Sequence, residues 1–168
     1  MLRSFDLDKT FQNLLILLAF LIPLTVAGAN AIIVILCLLW LCSGDYKNKF
    51  NLITNDKLML ASLAFFCMHI LGLAWTEDLE WGLHIVHKMW YFLGLFPILF
   101  TIVRKEYITK YISAFLLAIS ITEVFSYLVW FELIPPFKNA TVINPTPFMS
   151  HVSYNPILAF ATYIVLHE

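Results

Sequence analysis

Hydrophobic residues form long runs in this chain, and short polar segments separate them. The first run covers residues 14–42 and contains no charged residue. As a single helix it would be about 43 Å long at ~1.5 Å per residue, whereas the hydrocarbon core of a bilayer is ~30 Å thick. The stretch PLTVAGANA in its middle contains Pro23, Gly28 and Asn30, which favour a turn. The run therefore predicts two short helices, over about residues 12–26 and 30–43.

A cleaved signal peptide is the alternative interpretation of the same run. Arg3 and Lys9 would form its basic region, and AGA or ANA would supply small residues at a cleavage site. Asp6 and Asp8 within the basic region, and the second apolar stretch that follows at once, favour the two helices instead.

The rest of the chain predicts four more membrane-spanning helices. Their approximate bounds are residues 58–75, 83–103, 111–131 and 152–167. The pair Pro135-Pro136 ends the fifth helix, and NPTP at 144–147 predicts an extended turn before the sixth. The predicted fold is all-α: a polytopic bundle of about six transmembrane helices in one domain over residues 1–168.

Composition supports this fold class. Hydrophobic residues make up 61% of the chain and charged residues 12%, against about 45–50% and ~25% in soluble domains. The net charge of −1 offers no basic surface for nucleic acid, so we expect no nucleic-acid partner. Cys37, Cys42 and Cys67 lie inside apolar runs without C-x-x-C spacing, so we expect packed hydrophobic side chains rather than a disulfide or zinc set.

The distribution of basic residues predicts the orientation. With six spans and a cytoplasmic N-terminus, eight of the ten lysines and arginines are cytoplasmic, and the other two are Lys88 and Lys138. If residues 14–42 formed one span, the ratio would fall to six against four. The six-span topology is therefore favoured by charge as well as by length.

The stretch LGLAWTEDLEWGLHIVHKMW, residues 71–90, is a polar segment between two apolar runs. We predict one helix from about Glu77 to Val103, with Thr76 as its N-cap and carboxylates in its first turn. At helical spacing, Glu80, His84 and His87 share one face.

Three interpretations of this face stay open. The first is a metal site of Glu80, His84 and His87. The second is a substrate-contacting face in which the histidines donate to phosphate or sugar hydroxyls. The third is a solvated face at the membrane surface. Because no other helix offers an obvious fourth ligand, the solvated face is favoured over the metal site.

Two ionisable residues lie deep inside predicted spans, where such groups are costly. Glu123 is in the middle of the fifth span, and Ser120, Thr122 and Ser126 are close to it in sequence. It is a proton carrier or cation partner, or else a protonated acid hydrogen-bonded to a neighbouring helix. His69, in FFCMHILGL, is expected to be a helix-packing histidine whose hydrogen bonds are satisfied.

The start of the last predicted helix is a third candidate. The segment PFMSHVSYNPILAFA places His151, Ser153, Tyr154 and Asn155 at its outer end. Because the N–H groups at a helix N-terminus are free to bind anions, a phosphate or pyrophosphate could sit there. The alternative is a polar helix start without a ligand.

Three stretches of the chain resemble a known family in their order and spacing. They are FLIPLTVAGANAIIVILCLLWL, LGLAWTEDLEWGLHIVHKMWYFLGLFPIL and FMSHVSYNPILAFA. Together they resemble the O-antigen ligase and O-antigen polymerase family of bacterial inner-membrane proteins. The resemblance implies a multi-pass protein of lipopolysaccharide and surface-glycan assembly with about a dozen helices, of which this chain would be the N-terminal part.

The resemblance also implies a reaction and its partners. Ligases of this family transfer a glycan from undecaprenyl diphosphate to the lipid A core, without a metal or a nucleotide cofactor. An acceptor hydroxyl would attack the sugar C1 while undecaprenyl diphosphate leaves. The arginine and histidine of the family's large periplasmic loop would lie beyond Glu168, so we expect little catalysis by this chain alone. Contacts with the donor are expected at His151, Asn155, His84 and His87. Membrane lipids are further expected partners.

A different class of function is half of a secondary transporter. Six spans resemble one transporter repeat, and Glu123 would be the coupling acid. The loop SGDYKNKFNLITNDK lacks the glycine- and arginine-rich turn of major-facilitator proteins, which disfavours that class. A membrane scaffold without enzymatic activity is a third possibility.

Overall fold

The structure, a computed structural model, describes residues 6–141 and 143–167. In this part of the chain all regular structure is helical and no β-strand occurs. The α-helices are α1 (Leu7–Leu21), α2 (Val26–Cys42), α3 (Tyr46–Asn55), α4 (Lys57–Gly72), α5 (Leu79–Lys88), α6 (Trp90–Leu93), α7 (Leu95–Ile102), α8 (Ile108–Trp130) and α9 (His151–His167). Arg3 of the signal-peptide interpretation and Glu168 lie outside the described residues.

The predicted break in the first apolar run is present, although it lies earlier than expected. The amides of Leu24 and Thr25 both donate to the carbonyl of Leu21, at 3.0 and 2.9 Å, and form the turn that ends α1. Pro23 in this turn has no N–H to continue the helix. The hydroxyl oxygen of Thr25 then accepts from the amide of Gly28 at 3.3 Å and so helps α2 begin. The predicted helix bounds 12–26 and 30–43 are therefore displaced, and Gly28 lies inside α2 rather than in the turn.

The predicted continuous helix over residues 77–103 is wrong in two respects. It begins at Leu79, because the carboxylate of Asp78, rather than Thr76, caps it by accepting from the amide of Trp81 at 2.9 Å. It is also interrupted near Met89 and Gly94, so that α5, α6 and α7 replace one helix. Pro97 contributes to the second break because it cannot donate to a carbonyl four residues earlier.

Two helical segments are long and apolar enough to cross a membrane, Lys57–Trp75 and Lys105–Trp130. Two bent pairs also qualify if each counts as one span: α2 with α3, bent by 115°, and α5 with the helices up to Ile102, bent by 46°. The described residues thus contain two to four candidate spans. Since α1 has 15 residues and α9 has 17, both are shorter than the ~20 residues of a typical span. Six spans and a cytoplasmic N-terminus stay predictions.

Many large apolar side chains on these helices face outward. Examples are Val34, Leu38, Met68 and Leu117, each more than half exposed. Water would make such surfaces unfavourable, whereas lipid tails are as apolar as a protein core. The same reason explains why Cys42 and Cys67 are exposed rather than packed as expected. The apolar helices therefore indicate a membrane protein.

The chain divides into two compact units. The first unit comprises Met1–Leu36 with Arg104–Glu168, and the second comprises Cys37–Val103. In the first unit α1 packs along α8, and α8 packs against α9. Arg104 Nε donates to Asp8 Oδ1 at 3.1 Å, and the Tyr111 hydroxyl donates to the side chain of Gln12.

In the second unit, side chains join the end of α2 and the later helices. Trp40 Nε1 donates to Thr101 Oγ1 at 2.8 Å, which ties the C-terminal end of α2 to α7. Ser62 Oγ donates to the carbonyl of Phe92 at 3.1 Å, which ties α4 to α6. The segment predicted as the loop SGDYKNKFNLITNDK contains α3, a helix that was not expected.

Candidate functional site

A polar network joins α8 to α9 within the first unit. The hydroxyl of Tyr154 donates to Glu123 Oε1 at 2.7 Å and lies 2.7 Å from Thr122 Oγ1. Thr122 Oγ1 also donates to the carbonyl of Ile119 at 2.7 Å. Tyr154 and Thr122 are buried, at 4% and 1% exposure, and Glu123 is half-buried. Glu123 therefore accepts a hydrogen bond from a neighbouring helix, and both of its predicted roles stay predictions.

The number of hydrogens in this network constrains its chemistry. Three oxygen–oxygen contacts connect Glu123, Tyr154, Thr122 and the Ile119 carbonyl, but the two hydroxyl groups carry only two hydrogens. The two hydroxyl groups can therefore donate in only two of the three contacts. Replacement of Glu123 by glutamine removes the charge and keeps a side chain that can accept a hydrogen bond, so it separates the need for a hydrogen bond from the need for a charge.

Ser126 lies one turn beyond Thr122 on α8 and differs from the other hydroxyls. Its Oγ is fully buried and has no hydrogen-bond partner among the described residues. A buried polar group without a partner is costly, and such groups are rare in folded proteins. Ser126 is therefore the hydroxyl on α8 that a hydrogen-bonding partner would stabilise most.

The connection between α8 and α9 folds back and forms one wall of the site. The rings of Phe125, Phe137 and Phe148 form a cluster with centroids 5.7 to 5.9 Å apart. A turn follows in which the amide of Thr141 donates to the carbonyl of Asn144 at 2.8 Å. These contacts hold Thr146 beside Ser126 and Tyr154, with which it lines a groove.

The groove formed by these elements has a volume of about 280 Å³. A carboxyl group, an amide, hydroxyl groups and aromatic rings line it, together with a few apolar side chains. The lining residues are Glu123, Ser126, Tyr127, Trp130, Ile143, Pro145, Thr146, Tyr154, Asn155 and Leu158. None of these described residues is Lys, Arg or His, so the groove contains no cation for a phosphate.

A second groove of about 240 Å³ continues along the same two helices. The helices are antiparallel, because Phe115 packs on Phe160 while Glu123 contacts Tyr154. Leu158 lines both grooves, and the second is mainly apolar; its other lining residues are Leu116, Ile119, Ser120, Ala161, Thr162, Val165 and Leu166. We call the two together the α8–α9 groove, with a polar end at Glu123 and an apolar end at Leu116.

His151 and Asn155 lie one turn apart on α9, on the face that carries Leu158. Asn155 lines the polar end of the groove, whereas His151 is exposed at the first residue of the helix. The Nδ1 atom of His151 lies 3.1 Å from Asn144 Nδ2, so Asn144 donates to it. The structure thus brings Asn155 together with Glu123, and it places His151 one turn further out.

His84 and His87 have a different setting in the second unit. They line a broad surface depression of about 590 Å³ together with Asp78, Glu80, Trp81 and Leu83. All of these residues belong to α5 or its N-cap, and the His84 ring lies 5.3 Å from that of Trp81. Among the described residues there is no group of three His, Cys, Asp or Glu side chains that could hold a metal ion. No other helix in the described part of the chain lines this depression, which is a face of a single helix.

His69 is half-buried on α4 and has a partner within its own helix. Its Nδ1 lies 2.9 Å from the carbonyl of Phe65, one turn earlier. A carbonyl only accepts, so Nδ1 carries the hydrogen. The ring of His69 also packs edge-on against that of Phe65, at 4.6 Å. Both contacts lie within α4 itself, so the predicted role of His69 in packing between helices stays a prediction.

Several residues of the groove were not expected to belong to a site. Tyr127, Trp130 and Thr146 were not singled out, and Tyr154 was noted only as a polar residue at the start of the last helix. A signal was present for two of them, since Glu123, Tyr127 and Trp130 have the i, i+4, i+7 spacing of one helix face. Thr146 has no such signal, because a folded connection brings it to the site.

No family model, curated protein or solved structure matches this chain.

Proposed function

We propose that this chain is an O-antigen ligase-like protein of surface-glycan assembly in the bacterial inner membrane, and that the polar end of the α8–α9 groove binds a sugar of a membrane-anchored glycan. The resemblance described above motivates the family, with an O-antigen polymerase as the alternative. The proposed sugar site rests on one observation. Polar and aromatic side chains line one end of the groove, and an apolar groove on the same helix pair continues from it.

The side chains at the polar end fit sugar hydroxyls. Asn155 can donate and accept, Glu123 accepts, and the buried hydroxyl of Ser126 lacks a partner among the described residues. The rings of Tyr127 and Trp130 offer flat apolar surfaces beside these polar groups. Small-molecule sites commonly combine apolar and aromatic walls with a few placed polar groups.

The apolar end explains how the ligand stays anchored in the membrane. Leu158 connects the two grooves, so a chain attached to a bound sugar can continue along Leu116 and Val165. Because no Lys, Arg or His lines the described groove, the diphosphate of a donor would bind elsewhere. The polar end of the groove therefore fits a sugar better than it fits the diphosphate of the undecaprenyl donor.

The proposed topology follows from the same interpretation. Six spans with a cytoplasmic N-terminus would bring α8 and α9 to the periplasmic side at the connection between them. The polar end of the groove would then open toward the side where lipid-linked glycans are joined. His151, one turn beyond Asn155, would lie at the outer margin of the groove, and Asn155 would contact the sugar.

Binding of three fluorescent probes to the whole chain in lipid nanodiscs tests the sugar site. The probes are a lipid A core glycolipid, an undecaprenyl-diphosphate-linked glycan, and undecaprenyl diphosphate without a sugar. Asn155→Leu removes one hydrogen bond, which should lower the affinity for a sugar-bearing probe about tenfold, since ~1.4 kcal/mol corresponds to a factor of ten. Binding of undecaprenyl diphosphate alone should not change.

The control is Asn51→Leu on α3, which removes an exposed amide in the second unit. It should leave all three affinities unchanged. The sugar-bearing probe that loses affinity in Asn155→Leu shows whether the bound sugar belongs to the lipid A core or to the undecaprenyl-diphosphate-linked glycan. Equal weakening of all three probes, or of none, contradicts a sugar site at Asn155.

A second candidate function has one specific observation in its favour. Tyr127 and Trp130 follow Glu123 on one helix face, and a carboxylate beside aromatic rings is suited to an organic cation. Half of a secondary transporter with Glu123 as coupling acid would use such a site. Glu123→Gln distinguishes the two functions, because it keeps hydrogen-bonding capacity and removes the charge. Tetraphenylphosphonium binding that is lost in this variant, with glycan binding absent, favours the transporter.

A further inference from the structure

The segment after α2 contains a sharp elbow followed by an amphipathic helix. Gly44 has φ = 68° and Asp45 has φ = 53°, so two successive residues adopt the left-handed conformation. Left-handed backbone is costly for residues other than glycine, and it persists where surrounding contacts hold it. Contacts within the second unit are therefore expected to hold the elbow in this conformation.

Side chains of α3 hold this elbow by binding the carbonyl end of α2. Lys49 Nζ donates to the carbonyl of Trp40 at 3.0 Å and to Ser43 Oγ at 2.6 Å. The hydroxyl of Tyr46 donates to the carbonyl of Leu41. The last carbonyls of a helix lack partners within the helix, and a cation there is favourable to the helix dipole. α3 thus caps α2.

The ring of Trp40 completes the elbow. Lys49 Nζ lies 4.5 Å from the centroid of the Trp40 ring, and Trp40 is itself anchored to Thr101. Partial burial lowers the pKa of Lys49 from its ordinary value, and the nearby Asp45 carboxylate opposes this shift. Tryptophan and tyrosine are enriched where helices meet the membrane surface, and Trp40 and Tyr46 lie on either side of the bend.

The angle of the bend determines the direction of α3 relative to α2. With 10 residues, α3 is about 15 Å long at ~1.5 Å per residue. Because it is bent by 115° from α2, its length projects about 6 Å backwards along the axis of α2. α3 therefore does not extend the crossing that α2 makes; it runs nearly at right angles to it.

The two faces of α3 differ in chemistry. Tyr46 and Phe50, one turn apart, are 51% and 67% exposed, and Ile53 continues the same face. The opposite face carries three asparagines, Asn48, Asn51 and Asn55, all exposed. The helix contains two lysines and no acidic residue. One exposed apolar residue, Leu52, lies between these faces.

We propose that α3 lies in the plane of the membrane surface and binds lipid through the Tyr46–Phe50–Ile53 face, at the leaflet where α2 ends. Amphipathic helices with basic residues and aromatic side chains bind this boundary by burying their apolar face below the headgroups. The elbow puts α3 at that depth, since only three residues separate it from the end of the apolar α2. Lys47, which is exposed, can extend to lipid phosphates.

Spin labels on α3 test this proposal in nanodiscs of phosphatidylethanolamine and phosphatidylglycerol. With Cys37, Cys42 and Cys67 replaced by alanine, a nitroxide is attached at Phe50→Cys or, as the matched control, at Asn48→Cys. The label at position 50 should collide mainly with oxygen, which concentrates in lipid. The label at position 48 should collide mainly with a water-soluble nickel chelate, so that the oxygen-to-nickel ratio is several-fold higher at position 50.

Two results would overturn the proposal. Equal access of the nickel chelate at positions 48 and 50 would place α3 in water. Exclusion of both reagents at position 50 would show that protein, another segment or a second copy of the chain, covers that face. Labels at Ile53→Cys and Asn51→Cys repeat the comparison if either first variant fails to fold, with position 53 expected to follow 50 and position 51 to follow 48.

Discussion

The α8–α9 groove and the exposed face of α5 contain similar kinds of side chains but have different structures. Each offers carboxyl groups, nitrogen-bearing side chains and tryptophan. In the groove these groups come from α8, α9 and the connection between them, and Tyr154 joins Glu123 to Thr122 across two helices. On α5 they come from one helix and its N-cap, and all of the polar ones are exposed.

The difference shows what makes a polar segment a site. Residues 78–88 are conspicuous in the sequence because acids and histidines are rare in this chain, yet a helix that leaves a membrane needs a solvated face. Glu123, Ser126 and Asn155 are scattered through apolar helices, and folding brings them to one groove. Depth and contacts between helices, rather than local density of polar residues, indicate the site.

Removal of the Tyr154 side chain should have the largest effect. Its ring is buried in the first unit with Ile119, Met149 and Ala161, so Tyr154→Ala should lower the free energy of unfolding by about 3–5 kcal/mol. Tyr163→Ala, on the exposed face of the same helix, should change it by less than ~0.5 kcal/mol. Unfolding in mixed micelles measures both. Equal losses in the two variants would mean that the α8–α9 contact does not stabilise the chain.

Hydrogen bonding across the helix pair should contribute less. A double-mutant cycle of Tyr154→Phe and Glu123→Leu should give a coupling of about 0.6–1.7 kcal/mol, the range for polar contacts between helices in membranes. Tyr154→Phe combined with Ser120→Ala should give no coupling, since Ser120 donates to Leu116 on its own helix. Glutamine at position 123 should keep most of the hydrogen bond, so the cycle of Tyr154→Phe with Glu123→Gln should give a smaller coupling than the cycle with Glu123→Leu. Zero coupling in the first cycle contradicts the contact.

Ser126 should show opposite effects on stability and binding. Because its buried hydroxyl lacks a partner among the described residues, Ser126→Ala should stabilise the free chain by up to about 1 kcal/mol. The same variant should weaken binding of the sugar-bearing probe about fivefold, through loss of a hydrogen bond worth ~1 kcal/mol. Ser113→Ala, on α8 but exposed and outside the groove, is the matched control. A loss of stability without a change in affinity would remove Ser126 from the binding site.

The smallest effect is expected on α5. His84→Ala and His87→Ala, separately and together, should change stability by less than ~0.5 kcal/mol, because both side chains are exposed on a single helix. Glycan-probe affinity should also be unchanged. Calorimetry and the nanodisc binding assay measure these quantities. A tenfold loss of affinity in the double variant would show that this face of α5 binds the glycan probe.

Hydrophobic pattern predicted the helical class, the break near Pro23 and helices close to residues 58–75, 111–131 and 152–167. It did not predict α3, because a short amphipathic helix has no long apolar run. It also missed the interruptions at Met89 and Gly94, of which only the second lies close to Pro97. Asp78 rather than Thr76 caps α5, because its carboxylate accepts from the amide of Trp81. The alternatives differ little in energy, so sequence alone gives a helix end only to within one or two residues.

The site was predicted in part for a similar reason. Glu123 and Asn155 could be identified singly, as an acid inside a span and an amide at a helix start. That they line one groove depends on the antiparallel packing of α8 and α9, which pairs residues 31 to 32 positions apart. A single sequence contains no signal for that register, and none for the position of Thr146.

Photo-crosslinking to the α8–α9 groove tests the central claim most directly. With p-benzoyl-phenylalanine in place of Leu158, which lines both ends of the groove, a fluorescent lipid A core or undecaprenyl-diphosphate-linked glycan should label the chain, and excess unlabelled glycolipid should prevent it. The same substitution at Leu83 on α5 should give little label. Equal labelling at both positions, or labelling at Leu158 that undecaprenyl diphosphate without a sugar prevents equally well, would contradict a sugar-binding groove.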